Sequence, residues 1–341
     1  MSDQLERLRH DTGWMTGPTG TCEDRSVSLL VDECRWVWRG RRWCHLVSDQ
    51  TLDELHQFVV RLGLPRRAFQ GDHYDLHEDL RAAAVVLGAE PVDSRTLVRR
   101  LRQAGLRMRP GGARLTPPPL PADRVALVLA RFHQMLDVGA VIDVSPTTLH
   151  GERLDRPLQP IELDDLLVGA GFSGDGQRLR TLPDTVGPGM QHLVCGLNPS
   201  VVAADAGYGF SGATNRFWKA ALAAGVTDRS ADPWWALVAH GVGMTDLVKR
   251  ATPRSSEVTR EEYRLGAARV ARVVERYKPG AVVFVGLEGW RAAINRRAST
   301  GWQPEGIGGR PAYVMPSTSG LNARVSIDEL TGHLRTALAG R

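Results

Sequence analysis

Two short motifs, each placed just after an apolar run, hold the residues best suited to chemistry. Gly196-Leu197-Asn198-Pro199-Ser200 follows Leu193-Val194-Cys195, and Met315-Pro316-Ser317-Thr318-Ser319-Gly320-Leu321-Asn322-Ala323-Arg324 follows Ala312-Tyr313-Val314. Small, turn-forming polar residues at the carboxyl end of a buried strand are where open α/β sheets build their sites. Asn198 has an amide with one donor group and one acceptor, and that amide does not titrate. It can therefore orient a water molecule or the edge of a heterocycle, but it cannot be a general base. An Asx turn would use the same residue with no chemistry at all. In the second motif Gly320 lets the backbone come close to a ligand. Leu321 stands apolar among polar neighbours, as a side chain that wedges into a DNA stack must; tucking back onto its own domain is the simpler alternative. Between the motifs runs Gly207-Tyr208-Gly209-Phe210-Ser211-Gly212-Ala213-Thr214-Asn215-Arg216-Phe217-Trp218-Lys219. Phe210 can stack on a planar base, whereas Phe217 and Trp218 read as core. The motifs together describe a pocket for something flat and uncharged.

These motifs need a scaffold, and the pattern over 190–341 supplies one. Strands are expected at 191–196, 235–240, 281–286 and 311–315, with helices at 214–224, 256–277, 288–297 and 326–338. That alternation is the pattern of an α/β fold with a mainly parallel sheet. Ala281-Val282-Val283-Phe284-Val285 is apolar at every position, as a central parallel strand covered on both faces should be. Ahead of it, 26–110 reads as a smaller α/β domain: a strand from Val27, helices at 51–62, 78–88 and 94–104, and a strand at 90–93. Thr51 and Glu54 are spaced as a capping box. Residues 1–25 read as a loose arm. The segment 111–189 reads as a Pro-rich linker, a helix from Ala122 to about Val138, and an irregular connection broken by prolines.

The 341 residues suffice for two domains, and 24% charged residues with 42% hydrophobic ones is ordinary globular composition. No apolar run is long enough for a membrane span, and no signal-peptide pattern opens the chain. Cys22, Cys34, Cys44 and Cys195 have no metal-type spacing and read as free thiols in a reducing cytoplasm. Residues 190–341 hold 19 Lys and Arg against 12 Asp and Glu, a balance compatible with a polyanionic partner or with a solvated basic surface.

With these residues in place, 182–341 resembles the mismatch-specific uracil/thymine-DNA glycosylase family. That family reads GINPG where this chain has Gly196-Leu197-Asn198-Pro199-Ser200. It carries a Gly-rich loop ending in NRFWK, as at 215–219, and a second motif of the NPSGLSR or MPSSSAR type. The resemblance implies a three-layer uracil-DNA-glycosylase-like domain. It also implies a monofunctional enzyme that flips a base from duplex DNA and hydrolyses its N-glycosidic bond. By that resemblance Asn198 positions the attacking water. Leu197, Ala203, Phe210 and Ser317 surround the flipped base, with Ala203 leaving room for a 5-methyl group. Ser319, Gly320, Leu321, Asn322 and Arg324 form the wedge and DNA contact. Slow turnover is expected, since neither motif carries an Asp or His to activate the water. Ser200 departs from the family glycine and is expected to narrow the approach of the DNA backbone. No cofactor and no metal are expected; double-stranded DNA is the expected partner, and a cytoplasmic monomer the expected state.

Residues 27–100 resemble an uncharacterised small bacterial domain through WRGRRWCHLV, LGLPRRAFQ and DHYDL. Arg39, Arg41, Arg42, Arg66 and Arg67 are candidate phosphate contacts or simply a solvated basic loop. Cys44-His45, Asp72-His73-Tyr74-Asp75 and His77 could form a metal or hydrolytic site, or be satisfied polar residues. Spacing leaves that open. Two other functions stay in play: a non-catalytic DNA-damage-binding protein, and an enzyme with a separate amino-terminal activity.

Overall fold

The computed structural model describes residues 29–38, 40–107, 119–322 and 324–340. The arm at 1–25, Cys22, Arg39 and most of the Pro-rich linker lie outside them.

The first unit is a five-stranded sheet with helices packed on it. Its elements are β1 (Leu29–Val31), β2 (Trp36–Trp38), β3 (Arg41–Ser48), α1 (Leu52–Arg61), β4 (Tyr74–His77), α2 (Glu78–Val86), β5 (Glu90–Pro91) and α3 (Ser94–Gln103). Strand β3 is the hub: β1, β2 and β4 all pair with it antiparallel, and β5 joins β1 in parallel. Thr51 caps α1 by accepting the Glu54 N–H at 3.1 Å, but the Glu54 carboxylate turns to Ser48 Oγ at 2.9 Å, so the box closes on one side only. Period-two alternation sends Cys44, Leu46, Tyr74 and Leu76 into the core. His45, His73, Asp75 and His77 are thereby left half-buried. Arg66 is also buried, which removes it as a phosphate contact.

The segment after the linker holds more structure than its prolines suggest. It contains α4 (Val125–Met135), the short hairpin β6 (Thr148–Leu149) with β7 (Glu152–Arg153), and α5 (Pro160–Ala170). Pro160 begins α5 instead of breaking a helix, because the first helical position has no hydrogen bond for its missing N–H to forfeit. Leu129 and Phe132 of α4 and Leu166 of α5 share one core with Leu193, Val282 and Val314 of the second sheet. The stretch read as a connection is thus part of that core.

The second sheet comprises β8 (His192–Gly196), β9 (Val242–Asp246), β10 (Ala281–Val285), β11 (Gly301–Trp302) and β12 (Ala312–Met315). Its helices are α6 (Val201–Ala206), α7 (Phe217–Ala224), α8 (Pro233–His240), α9 (Arg260–Tyr277), α10 (Leu287–Ala293) and α11 (Ile327–Leu338). Strand order is β11-β12-β10-β8-β9, parallel except for the edge strand β11. Leu193, Cys195, Val282 and Phe284 face α4, α5 and α9, whereas Val194, Val283 and Val285 face α7 and α11. That is a three-layer α/β domain behind a smaller one.

The strand expected at 235–240 is instead α8, and the strand begins two residues after it. Asp232 caps α8 by accepting the Trp235 N–H at 2.9 Å, with Pro233 at its first turn. Gly243 obscures β9 in the sequence. A Cβ there would lie 2.0 Å from Met190 Sδ, so packing demands a residue of low strand propensity. No helix among the described residues is long and apolar enough to cross a membrane.

Candidate active site

The chain leaves β8 for β9 on one side and later places β10 and β12 on the other. The direction of winding reverses between β8 and β10, which is where open sheets leave a crevice at the strand ends. Asn198 follows β8 and Gly286 follows β10. A Cβ on Gly286 would stand 3.6 Å from Ser317 Cβ, so the second motif lies against the end of β10.

Asn198 is half-buried, and its amide is fixed from below. Nδ2 donates to Thr252 Oγ1 at 2.8 Å and to the Arg250 carbonyl at 3.1 Å. Thr252 is itself held, its N–H on the Pro199 carbonyl at 3.1 Å and its hydroxyl on the Arg254 carbonyl at 2.8 Å. Arg250 is gripped by Glu262, with Nε on Oε1 at 2.6 Å. Glu262 closes the capping box of α9 with Thr259. The Arg250 guanidinium and the Thr259 backbone N–H pull the Glu262 carboxyl down to about 2. A helix start thus fixes a carbonyl, and that carbonyl fixes the Asn198 amide with Oδ1 as its remaining acceptor. Thr252 and Arg250 were missed in the sequence because they lie more than fifty residues away.

Ser200 has its hydroxyl turned to a helix end. It is the N-cap of α6, and its Oγ accepts the Ala203 N–H at 3.1 Å. The departure from glycine therefore satisfies a helix end. That role is local to α6 and separate from any effect on the approach of DNA.

Phe210 has φ +60, a sparsely populated value for a side chain of its size. Its ring stacks on Phe217 at 4.1 Å and 21°. Phe217 is fully buried and Trp218 nearly so, both as core residues. Trp218 Nε1 donates to the Gly209 carbonyl at 2.9 Å and pins the loop. Phe210 borders a small cavity of about 30 Å³, walled also by Leu182, Thr185, Tyr208, Met244 and Asp246. Gly196 forms the adjoining floor: a Cβ there would lie 2.4 Å from Asp246 Oδ1 and 3.5 Å from Phe210 Cζ.

Asp246 is the site residue that sequence reading missed. It ends β9, opposite Gly196 in register. Burial pushes its carboxyl up to about 6, against the pull of Lys249 and Arg269. Behind it, buried Asp184 accepts from Arg269 Nη1 at 2.6 Å, Lys249 Nζ at 2.7 Å and Thr245 Oγ1 at 2.7 Å.

Three of the expected base contacts, Leu197, Ala203 and Ser317, do not wall that cavity, and neither does Asn198. The Leu197 side chain packs toward Gly289 of α10 and joins the core, so only its backbone can serve the crevice. Ala203 is buried in α6 and is not a wall of the Phe210 cavity.

The second motif is an ordered projection. Asn322 Nδ2 donates to the Ser317 carbonyl at 3.0 Å, and the Asn322 N–H to the Ser319 carbonyl at 3.0 Å. Arg216 clamps the loop from the Gly-rich segment. Its guanidinium donates to the carbonyls of Asn322 at 2.7 Å, Ser319 at 3.3 Å and Val325. Gly320 lies so near Thr214 that a Cβ would meet its Oγ1 at 2.4 Å. On this base Leu321 is 98% exposed, and Arg324 is exposed beside it. Leu321 does not fold back onto its own domain.

Two family models match the chain. One, the uracil DNA glycosylase superfamily, covers residues 183–334; the other, protein of unknown function (DUF4031), covers residues 29–104. The first spans the Asn198 turn, the Phe210 loop, β9 to β12 and the Leu321 projection; the second spans the smaller sheet. The chain therefore carries a uracil DNA glycosylase superfamily domain at 183–334, behind an amino-terminal domain of the DUF4031 family.

Proposed function

We propose that this protein is a monofunctional DNA glycosylase that excises uracil, and more slowly thymine, from G-mismatched duplex DNA. The observation that carries the reading is the Asn198 amide, tied off through Nδ2 so that Oδ1 is left as its acceptor. An amide in that state accepts a hydrogen bond from water and aims its lone pair without taking its proton. The water oxygen bonds to C1′ as the C1′–N1 bond breaks, uracil departs as the anion, and the water's proton passes to solvent. Stretching toward an oxocarbenium ion before attack makes positioning sufficient. Phe210, backed by Phe217, offers its other face to the extruded base. Leu321 fills the space that the base vacates. Extrusion costs a few kcal/mol and is cheapest at a mismatch, which favours G:U and G:T pairs. Ser200, engaged in its cap, gives no support to a binding-only protein.

Duplex oligonucleotides with G:U, G:T or A:U pairs, and single-stranded uracil DNA, test the reading by alkaline cleavage. G:U should be cleaved fastest. If no abasic site forms in any substrate, the proposal fails. Leu321→Ala should slow excision from G:U duplex by about 10-fold or more and change single-stranded excision by less than 2-fold, since only the duplex has a stack to refill. Equal losses on both would reject the wedge.

Asp246 gives the reaction a pH dependence. Ionised, its carboxylate accepts strongly from a ring N–H; protonated, it is a weaker acceptor that also presents an O–H donor. Excision by the wild type should rise with pH through an inflection near 6. Asp246→Asn should remove that inflection. An unchanged profile would exclude Asp246 from the site.

A further inference from the structure

One face of the amino-terminal sheet gathers three metal-binding side chains. His45 of β3 and Asp75 of β4 are directly paired in the antiparallel register. His73 precedes Asp75 by two positions, so alternation brings it to the same face. Ligand atoms of His45, His73 and Asp75 lie within 4.8 Å of one another, the one such group of three among the described residues. His73 Nε2 is 3.5 Å from Asp75 Oδ1, and the two imidazole centroids are 5.0 Å apart.

What lies behind the imidazoles is more specific than the cluster. His45 Nδ1 meets Asp32 Oδ2 at 3.0 Å, and His73 Nδ1 meets Asp72 Oδ1 at 2.6 Å. Both carboxylates are buried. Asp32 is anchored as well by the His45 N–H at 2.6 Å and by Ser94 Oγ at 2.7 Å; Asp72 is bridged by Arg107 at 3.1 Å. A carboxylate on Nδ1 fixes the tautomer in which Nε2 carries the lone pair, and raises its basicity. Metal-bound histidines are commonly supported in this way. Here the arrangement occurs twice, beside one half-buried carboxylate, that of Asp75. A proton shared between His73 and Asp75 would satisfy two of the three groups. A cation satisfies all three.

We propose that His45, His73 and Asp75 bind a divalent transition-metal ion of the zinc class, with Asp32 and Asp72 as positioning residues. Two imidazoles and one carboxylate suit Zn²⁺, Fe²⁺ or Co²⁺ better than Mg²⁺ or Ca²⁺. Tetrahedral donors at bond lengths of about 2.0–2.1 Å stand about 3.3 Å apart, so closure takes side-chain movements on the order of 1 Å. Three protein ligands leave one tetrahedral position for water. This replaces the expectation, drawn from cysteine spacing, that the chain has no metal site.

The full-length protein, stripped with a chelator, should take up one equivalent of Co²⁺ and show visible d–d bands. Zn²⁺ should displace it. The spectrum should lack a thiolate-to-cobalt band, because no cysteine is among the ligands. His45→Gln and His73→Gln, which alter half-buried side chains, should each weaken uptake at least 10-fold while preserving the far-ultraviolet circular dichroism. Asp32→Asn should weaken it about 10–100-fold through His45. Wild-type spectra, with imidazole proton resonances shifted by the paramagnetic ion, decide the matter even if a variant unfolds. Three results would each overturn the site: no stoichiometric uptake by the wild type, uptake that survives both glutamine variants, or a thiolate band.

Discussion

Asn198→Ala should lower single-turnover excision of uracil from a G:U duplex by about 10³-fold, while the Kd for the same duplex changes by less than about 3-fold. The size follows from what is lost. Holding a nucleophile in a near-attack geometry is worth up to about 7–11 kcal/mol in the best intramolecular systems. One hydrogen bond on one water supplies a part of this; a 10³-fold loss corresponds to about 4 kcal/mol. Affinity for DNA should hold, because Asn198 is half-buried and its Nδ2 bonds point into the protein. The Leu321 projection and basic surface still meet the duplex. Single-turnover rates with gel-shift affinities separate the two effects. A variant retaining more than a tenth of the wild-type rate would mean that the water is held elsewhere.

The contrast with Thr252 and Arg250 shows where the sequence stopped being legible. Asn198, Phe210 and Leu321 were readable because each sits in a short motif whose neighbours announce a turn, a glycine loop or an apolar exception. The groups that fix Asn198 come from a segment more than fifty residues on, and nothing local marks them. Asp246 was hidden for a related reason. Reading 235–240 as a strand consumed the signal for β9, whose true beginning is diluted by Gly241 and Gly243. With the strand misplaced, its terminal carboxylate could not be assigned to a strand end. A parallel sheet covered on both faces was legible because β10 is apolar at every position, and the resemblance implied the three-layer form. The smaller domain shows the opposite limit. Its histidines and aspartates were visible at once, but only the β3–β4 register brings His45 opposite Asp75.

Asp184→Asn should produce the largest stability loss of any single substitution near the site, about 3–5 kcal/mol, because it leaves two buried cations without their carboxylate. Asp184, Lys249 and Arg269 have side chains only 4%, 8% and 6% exposed. Burial by itself would raise the Asp184 carboxyl; Arg269 and then Lys249 reverse that and hold it below the ordinary carboxylate range. A folded pKa below the unfolded value of about 3.9 contributes stability above that pH, and the contribution is lost as pH falls toward the folded pKa. The wild-type Tm should therefore fall on acidification below about pH 4. In Asp184→Asn it should start about 10 °C lower at pH 7, and this part of the acid dependence should be gone. The same substitution acts on the crevice. Asp184 is one of the charges that keep the Asp246 carboxyl high, whereas Lys249 and Arg269 pull it down. With Asp184 neutral the two cations act on Asp246 alone, and the inflection in excision should move below 6. Calorimetry across pH, with excision rates measured well below the variant's Tm, reads both effects on one protein. An inflection that stays in place while stability falls would show that the buried network supports the fold without tuning the site.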